Sequence, residues 1–434
     1  MTTKQILFII SLAITLGVFA YSMNRIIRFL RLTRAGFPVK DIGQRLKVTW
    51  NVAIAQTKIL RHPLAGFLHA MVFWGFIIIT LGSLEMVVDG VAGQERLFAA
   101  AGPVYDVVIG LGDAFAAFII FAVAAFFIRR LFLDIHRFKG VEMGKKSKLD
   151  ANIALTFILL LMISLVGMNA AYVALHSGNH EGVFPVSAWI ASFMQHMDMR
   201  ELHTVHEAGW WSHILLIFIF ANVLPYSKHF HVFMSVPNVF LSRLEPLGYV
   251  RNMKEITEEV KMMMDPEAAS PEPESGEAPE EPQTFGAKDV DDLIWKNYFD
   301  SLACTECGRC TDVCPANITG KLLSPRKIMV DTRARMKEKG PGLLKDKSYD
   351  DGKSLLRDYI TEEELWACTM CNACAQECPI NINQPSIILE LRRYLVMEEA
   401  AAPSELNAMF TNIENNGAPW QYPQEDRMKW AEGL

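Results

Sequence analysis

The sequence predicts an all-α membrane protein: five transmembrane helices followed by a mostly helical domain organised by cysteines. Three features carry that expectation. Apolar residues crowd into roughly the first 240 of 434 positions, all eight cysteines fall beyond position 300, and an acidic, proline-rich stretch separates the two regions.

A helix needs about 20 apolar residues to cross the hydrocarbon core of a bilayer. Segments 6–30, 64–88, 104–128, 153–175 and 210–226 meet that requirement and are too long and too evenly apolar for core helices of a soluble protein. The loops set their direction. Arg25, Arg28, Arg31, Arg34, Lys40, Arg45, Lys47, Lys58 and Arg61 follow the first span, and Arg129, Arg130, Arg137, Lys139, Lys145, Lys146 and Lys148 follow the third. The second and fourth connections carry Glu85, Asp89, Glu95, Glu181, Asp198 and Glu201 instead. The positive-inside rule then predicts a multi-pass protein of the cell inner (cytoplasmic) membrane, with its N-terminus outside and its cysteine domain in the cytoplasm. Val18-Phe19-Ala20 loosely resembles a signal-peptide cleavage site. Cleavage there would strand the following arginines outside, so the first span is kept as a helix.

The formal net charge of −6 averages a basic-looped half with an acidic connector, and no basic patch interleaved with aromatics suggests nucleic acid. Residues 265–283 read DPEAASPEPESGEAPEEPQ, a composition that cannot bury a core and predicts a flexible tether. The expected division is a membrane domain at 1–245, a linker at 246–284, a cysteine domain at 285–400 and a docking tail at 401–434.

The cysteines form two runs, Cys304-x2-Cys307-x2-Cys310-x3-Cys314-Pro315 and Cys368-x2-Cys371-x2-Cys374-x3-Cys378-Pro379. This is the bacterial two-cluster ferredoxin pattern, in which the fourth cysteine of each run ligates the other cluster. Cys304, Cys307, Cys310 and Cys378 are therefore expected on one [4Fe-4S] cluster, and Cys368, Cys371, Cys374 and Cys314 on the second. Structural zinc lacks the third cysteine two residues on, and cytoplasmic placement disfavours disulfides. Amphipathic stretches at 324–336 and 384–396 follow the runs, so the domain reads as two half-units. It resembles the mostly helical ferredoxin domains of respiratory iron–sulfur subunits.

Histidines inside spans are functional candidates. His62 and His69 stand seven residues apart and His213 and His231 eighteen apart, each pair on one helix face. The stretch His206-Glu-Ala-Gly-Trp-Trp-Ser-His213, continued by Leu224-Pro-Tyr-Ser-Lys-His-Phe-His231, resembles the last membrane helix of the nitrate reductase gamma-subunit family. Arg61-His-Pro-Leu-Ala-Gly66-Phe-Leu-His69 resembles the second helix of cytochrome b subunits fused to heterodisulfide-reductase-like iron–sulfur proteins. The resemblance implies a five-helix cytochrome b bundle with two haem b groups, held as His69–His213 and His62–His231. Seven residues separate the second-helix histidines here, where the nitrate reductase subunit has ten, and Pro225 is expected to supply a compensating bend. His136, His176, His180, His196 and His229 read as interfacial polar residues.

Asp113 and Glu85 interrupt spans on the outer side, either as proton acceptors at a quinone site or as helix-paired carboxylates. Residues 416–420 and 427–430 resemble the stretch leading into the cysteine-rich repeats of heterodisulfide-reductase-like proteins. That resemblance implies a separate cysteine-rich catalytic subunit. The expected function is electron transfer between menaquinone or menaquinol and a cytoplasmic partner. The alternatives are a haem-less anchor for a ferredoxin module and a quinone-reducing subunit fed by a flavoprotein.

Overall fold

A computed structural model describes residues 1–176, 180–265, 284–421 and 423–433. It is helical, with no β-strand among the described residues. Five helices are long and apolar enough to cross a membrane: α1 (Thr3–Leu30), α2 (Pro63–Ala92), α3 (Pro103–Leu131), α4 (Lys145–His176) and α5, which runs Met199–Val223. Within their most apolar stretches only 11% to 33% of residues are buried by protein. Most side chains therefore point outward, as Leu7, Ile10, Ile14 and Phe121 do, where lipid is the solvent that suits them. The chain is a membrane protein.

Small residues let these helices approach closely, because association in lipid depends on packing rather than on water exclusion. Ala116, Ala122, Ala170 and Ala171 are completely buried. A methyl group on Gly209 of α5 would press on the backbone of Met168 in α4, 3.1 Å from its Cα.

The fifth span is longer than its hydropathy suggests. It begins at Met199 behind a capping box in which Asp198 and Glu201 exchange hydrogen bonds with each other's backbone, so His203 and His206 join the helix. At its far end α5 stops at Val223 and the chain runs through two short 3-10 turns, Leu224–Tyr226 and Lys228–Phe230. Ser227 is extended between them and its hydroxyl accepts from His229 N. A new helix, α6 (His231–Phe240), then begins. Pro225 explains the break, since it has no N–H to continue the ladder. The expectation of His213 and His231 on one straight helix face is thereby corrected.

In the cysteine domain, α7 (Trp295–Ala303) packs Tyr298, Leu302 and Ala303 against Ile26, Phe29 and Phe230 of the membrane part, while α8 (Pro325–Leu343) and α9 (Gln384–Met397) close on a core that includes Leu293, Ile328, Leu355, Ile387 and Leu391. Within the expected linker, Lys254–Met264 is helical, and residues 266–283 lie outside the described residues.

The two parts interlock. Arg34 and Trp295 trade backbone bonds across the join, Arg34 N to Leu293 O (2.9 Å) and Trp295 N to Arg34 O (3.0 Å). Arg326, 1% exposed, reaches Glu142 at 2.7 Å and the carbonyl oxygens of Arg137 and Lys139. Lys228, just beyond the fifth span, approaches Glu306 of the first cysteine run at 3.5 Å, and Arg333 closes on the same carboxylate.

Candidate functional site

The two cysteine runs fold back on each other. Cys314 lines one cavity of about 340 Å3 together with Cys368, Cys371 and Cys374. On the other side Cys310 lies within electrostatic reach of Cys304, Cys307 and Cys378. Each run's fourth cysteine thus sits with the other run's first three. Among the described residues no three ligating side chains are close enough to share one metal ion. Burial pushes the thiol of Cys304 up to about 11 and those of Cys374 and Cys378 up to about 12. Thiols buried in this way stay protonated unless a positively charged centre draws them into the thiolate form.

The cages differ in exposure. Cys304, Cys310 and Cys378 are buried, as are Cys314 and Cys374 of the other cage, while Cys371 is exposed. Glu306 is in the left-handed conformation, φ 59°, inside the first loop. Burial pushes its carboxyl up, but Arg333 and Lys228 outweigh that and hold it below the usual range.

The loop entering α2 touches the first cage. Lys58 Nζ donates to Cys378 O (3.2 Å), and Arg309 Nη1 donates to Lys58 O (3.0 Å). Gly66 permits the fold, because a Cβ there would collide with the Ile59 carbonyl. His69, two turns into α2, comes within electrostatic reach of Arg309 and of His231. Both imidazoles are partly buried. His69 Nδ1 lies 3.4 Å from Gln56 Oε1 and, as the donor, leaves Nε2 free. His231 Nδ1 is buried without a partner. His213 donates from Nδ1 to Leu161 O (2.9 Å), and its Nε2 is buried with no partner. His213, with one nitrogen pinned and the other orphaned, has the arrangement that suits axial ligation of haem iron. His62 differs: it caps α2, is about half exposed, and meets Glu377 at 3.1 Å. His136 likewise faces Asp312 of the cysteine domain at 3.3 Å.

At the end of the bundle remote from the cysteines, α2, α3, α4 and α5 enclose a cleft of about 710 Å3. It gathers both carboxylates noted from the sequence, Glu85 and Asp113, along with Asp89, Arg96, Asn169, Tyr172 and His206. The carboxylates already have partners. Asp113 accepts from Val186 N (2.7 Å), Ser187 N (2.9 Å) and the Ser187 hydroxyl, securing the short helix Pro185–Ala191. Glu85 accepts from Phe98 N (3.0 Å) and Tyr105 Oη (3.3 Å), and Asp89 from the amides of Arg96 and Leu97. Gln56, Arg309, Arg96 and Asn169 escape a reading of the sequence, because each acts through a contact made only in the folded chain.

Comparisons with known proteins bear on the cysteine half most directly. Residues 296–379 match the 4Fe-4S dicluster domain family. The chain carries an iron–sulfur dicluster domain. It is 28% identical to the probable iron–sulfur-binding oxidoreductase FadF of Bacillus subtilis, over 99% of this chain and 61% of that protein. It is also 28% identical to EtfAB:quinone oxidoreductase of Syntrophomonas wolfei, over 90% of this chain and 54% of the relative. One component of the ferredoxin/F(420)H(2)-dependent CoB-CoM heterodisulfide reductase of Methanosarcina acetivorans is 36% identical over 26% of this chain and 56% of its own length. The chain thus spans less than two thirds of each of these relatives. No solved structure matches.

Proposed function

We propose that the chain passes electrons between menaquinone or menaquinol in the membrane and a soluble redox partner at the cysteine domain. One junction carries this reading: the loop that leads into α2 bonds both Cys378 and Arg309, two turns before His69. A membrane histidine pair and a cluster cage then share a wall. Haem b and two [4Fe-4S] clusters, when bound, supply reversible one-electron carriers there.

Cys304, Cys307, Cys310 and Cys378 hold the cluster nearer the membrane, and Cys314, Cys368, Cys371 and Cys374 the outer one. His69 and His231 hold a haem between them, in place of the His69–His213 pairing that the sequence suggests. The presence of His231 within electrostatic reach of His69 supports the change. His213 offers its free Nε2 to a second haem, and His62, committed to Glu377, is left out. The quinone occupies the remote cleft, which Glu85 and Asp113 help to shape. The positive-inside rule orients the cysteine domain toward the cytoplasm of the inner membrane. Among partners we favour one of the EtfAB kind, the flavoprotein reading, over a heterodisulfide-reducing protein. The relative with that name aligns along nearly the whole chain, whereas the heterodisulfide reductase component aligns along only a quarter.

The test is a menaquinol-reduced minus oxidised absorption spectrum of the detergent-purified chain, with haem counted per chain. A b-type band appearing with menaquinol supports the reading, and one haem per chain fits His69–His231 alone. No band even with dithionite would leave a membrane-tethered ferredoxin.

A further inference from the structure

The remote cleft holds two polar side chains that the protein itself does not use. His206 is 8% exposed and Asn169 is 6% exposed, and both line the cleft. Neither has a hydrogen bond or ion pair among the described residues; His206 makes only a tilted ring contact with Tyr172, 6.1 Å between centroids. Their polar atoms are not sealed off by protein but line the cleft, where a ligand with its own donors and acceptors can meet them. Glu85, Asp89 and Asp113, by contrast, are each engaged in holding a loop or a helix.

The packing explains why these two stand together. Gly209 lets α5 rest on the α4 backbone at Met168. Asn169 is the next residue on α4, and His206 lies one turn before Gly209 on α5. Trp210 adds a flat apolar wall, and Ile78, Ile79 and Met86 supply the rest. An aromatic ring with two opposed oxygens, on an apolar tail, fits a site with two polar contacts in an otherwise greasy enclosure.

We propose that Asn169 and His206 form the head-group site for the quinone, a refinement that rests on the quinone reading above. Asn169 Nδ2 donates to one ring oxygen, and His206 exchanges the reacting proton with the other. On quinol oxidation, the O–H bond facing His206 breaks and its proton passes to the imidazole lone pair. The haem b that the membrane histidines would hold could take up the two electrons one at a time, and the second O–H bond would break with its proton leaving to solvent at the mouth. Quinone reduction runs these transfers backwards. The charged groups facing His206 are Glu95 and Arg96 of the loop after α2, Lys4 of α1 and Glu207 of its own helix. They give it a polar path to solvent.

The experiment uses the full chain in detergent, with its haem and clusters. Fluorescence quenching of heptyl-hydroxyquinoline N-oxide, a quinol analogue, reports binding, and stopped-flow absorbance reports haem reduction by menaquinol. His206→Phe should slow menaquinol-driven reduction about 100-fold, with an unchanged dithionite-reduced spectrum and unchanged cluster signals. Asn169→Ala should weaken analogue binding about 10-fold and raise KM more than it lowers kcat. His206→Gln, which keeps a polar group but cannot accept a proton at neutral pH, should bind the analogue yet remain slow. If His206→Phe and Asn169→Ala both keep wild-type rates and analogue affinity, the head-group assignment is overturned while the quinone reading stands. If the wild-type chain itself neither binds the analogue nor is reduced by menaquinol, the quinone reading falls and takes this assignment with it.

Discussion

A neutral imidazole has one N–H and one lone pair, and whatever accepts from the N–H decides which nitrogen remains for a metal. Gln56 has that role for His69 and the Leu161 carbonyl has it for His213. Losing such a supporting contact typically costs 10- to 100-fold in metal affinity. Gln56→Leu should therefore lower haem retention by about that factor while His69 stays in place, read as haem per chain after dilution into haem-free buffer. Full retention would show that Gln56 does not set the tautomer. At this scale the dicluster domain was legible, because its signature rests on cysteine spacing within a few residues. Gln56 and Arg309 were not, since each meets its partner only through tertiary structure. The same holds for Glu85 and Asp113, whose caps come from segments remote in sequence.

Elements were legible wherever apolar length alone decides them. All five spans stand within a few residues of their predicted ends except where polar residues extend a helix. Lys145 starts α4 well before the apolar core of the span, and Met199 starts α5. That second extension hid His206, which sits in a polar segment that hydropathy reads as loop. Pro225 was expected to bend a helix, and it ends one, placing His231 at the start of α6. Pro225→Ala restores a backbone N–H and relieves the clash with the preceding turn. α5 should then run on past Val223 and rotate His231 away from His69. The expected result is loss of most b-type absorbance with both cluster signals intact. Retained haem would show that the turn at Ser227, rather than the proline, fixes His231.

Across the whole molecule, the composition of 265–283 predicts a tether, of which residues 266–283 lie outside the described residues, and buried charge joins the cysteine domain to the bundle. Arg326 and Glu142 are 1% and 2% exposed at their side chains. Removing one member of a buried pair strands the other and costs roughly 3–5 kcal/mol. Glu142→Ala should lower the midpoint of thermal cluster loss and slow electron transfer between haem and clusters, since the junction at Lys58 and Arg309 depends on the same docking. An unchanged midpoint would mean that Arg34 and Lys228 suffice to hold the join. This docking also orders the two cages. The first lies against the loop 57–62, and the second, with Cys371 exposed, faces outward. A soluble donor would reach the second cage first, and electrons would cross the domain before entering the membrane. Cys371→Ala should thus abolish the outer cluster's paramagnetic signal and block reduction by the soluble partner. Menaquinol should still reduce the haem and the inner cluster at near wild-type rates. If the partner's electrons arrive undiminished in that variant, they do not enter through the outer cluster, and the partner must dock beside the membrane instead.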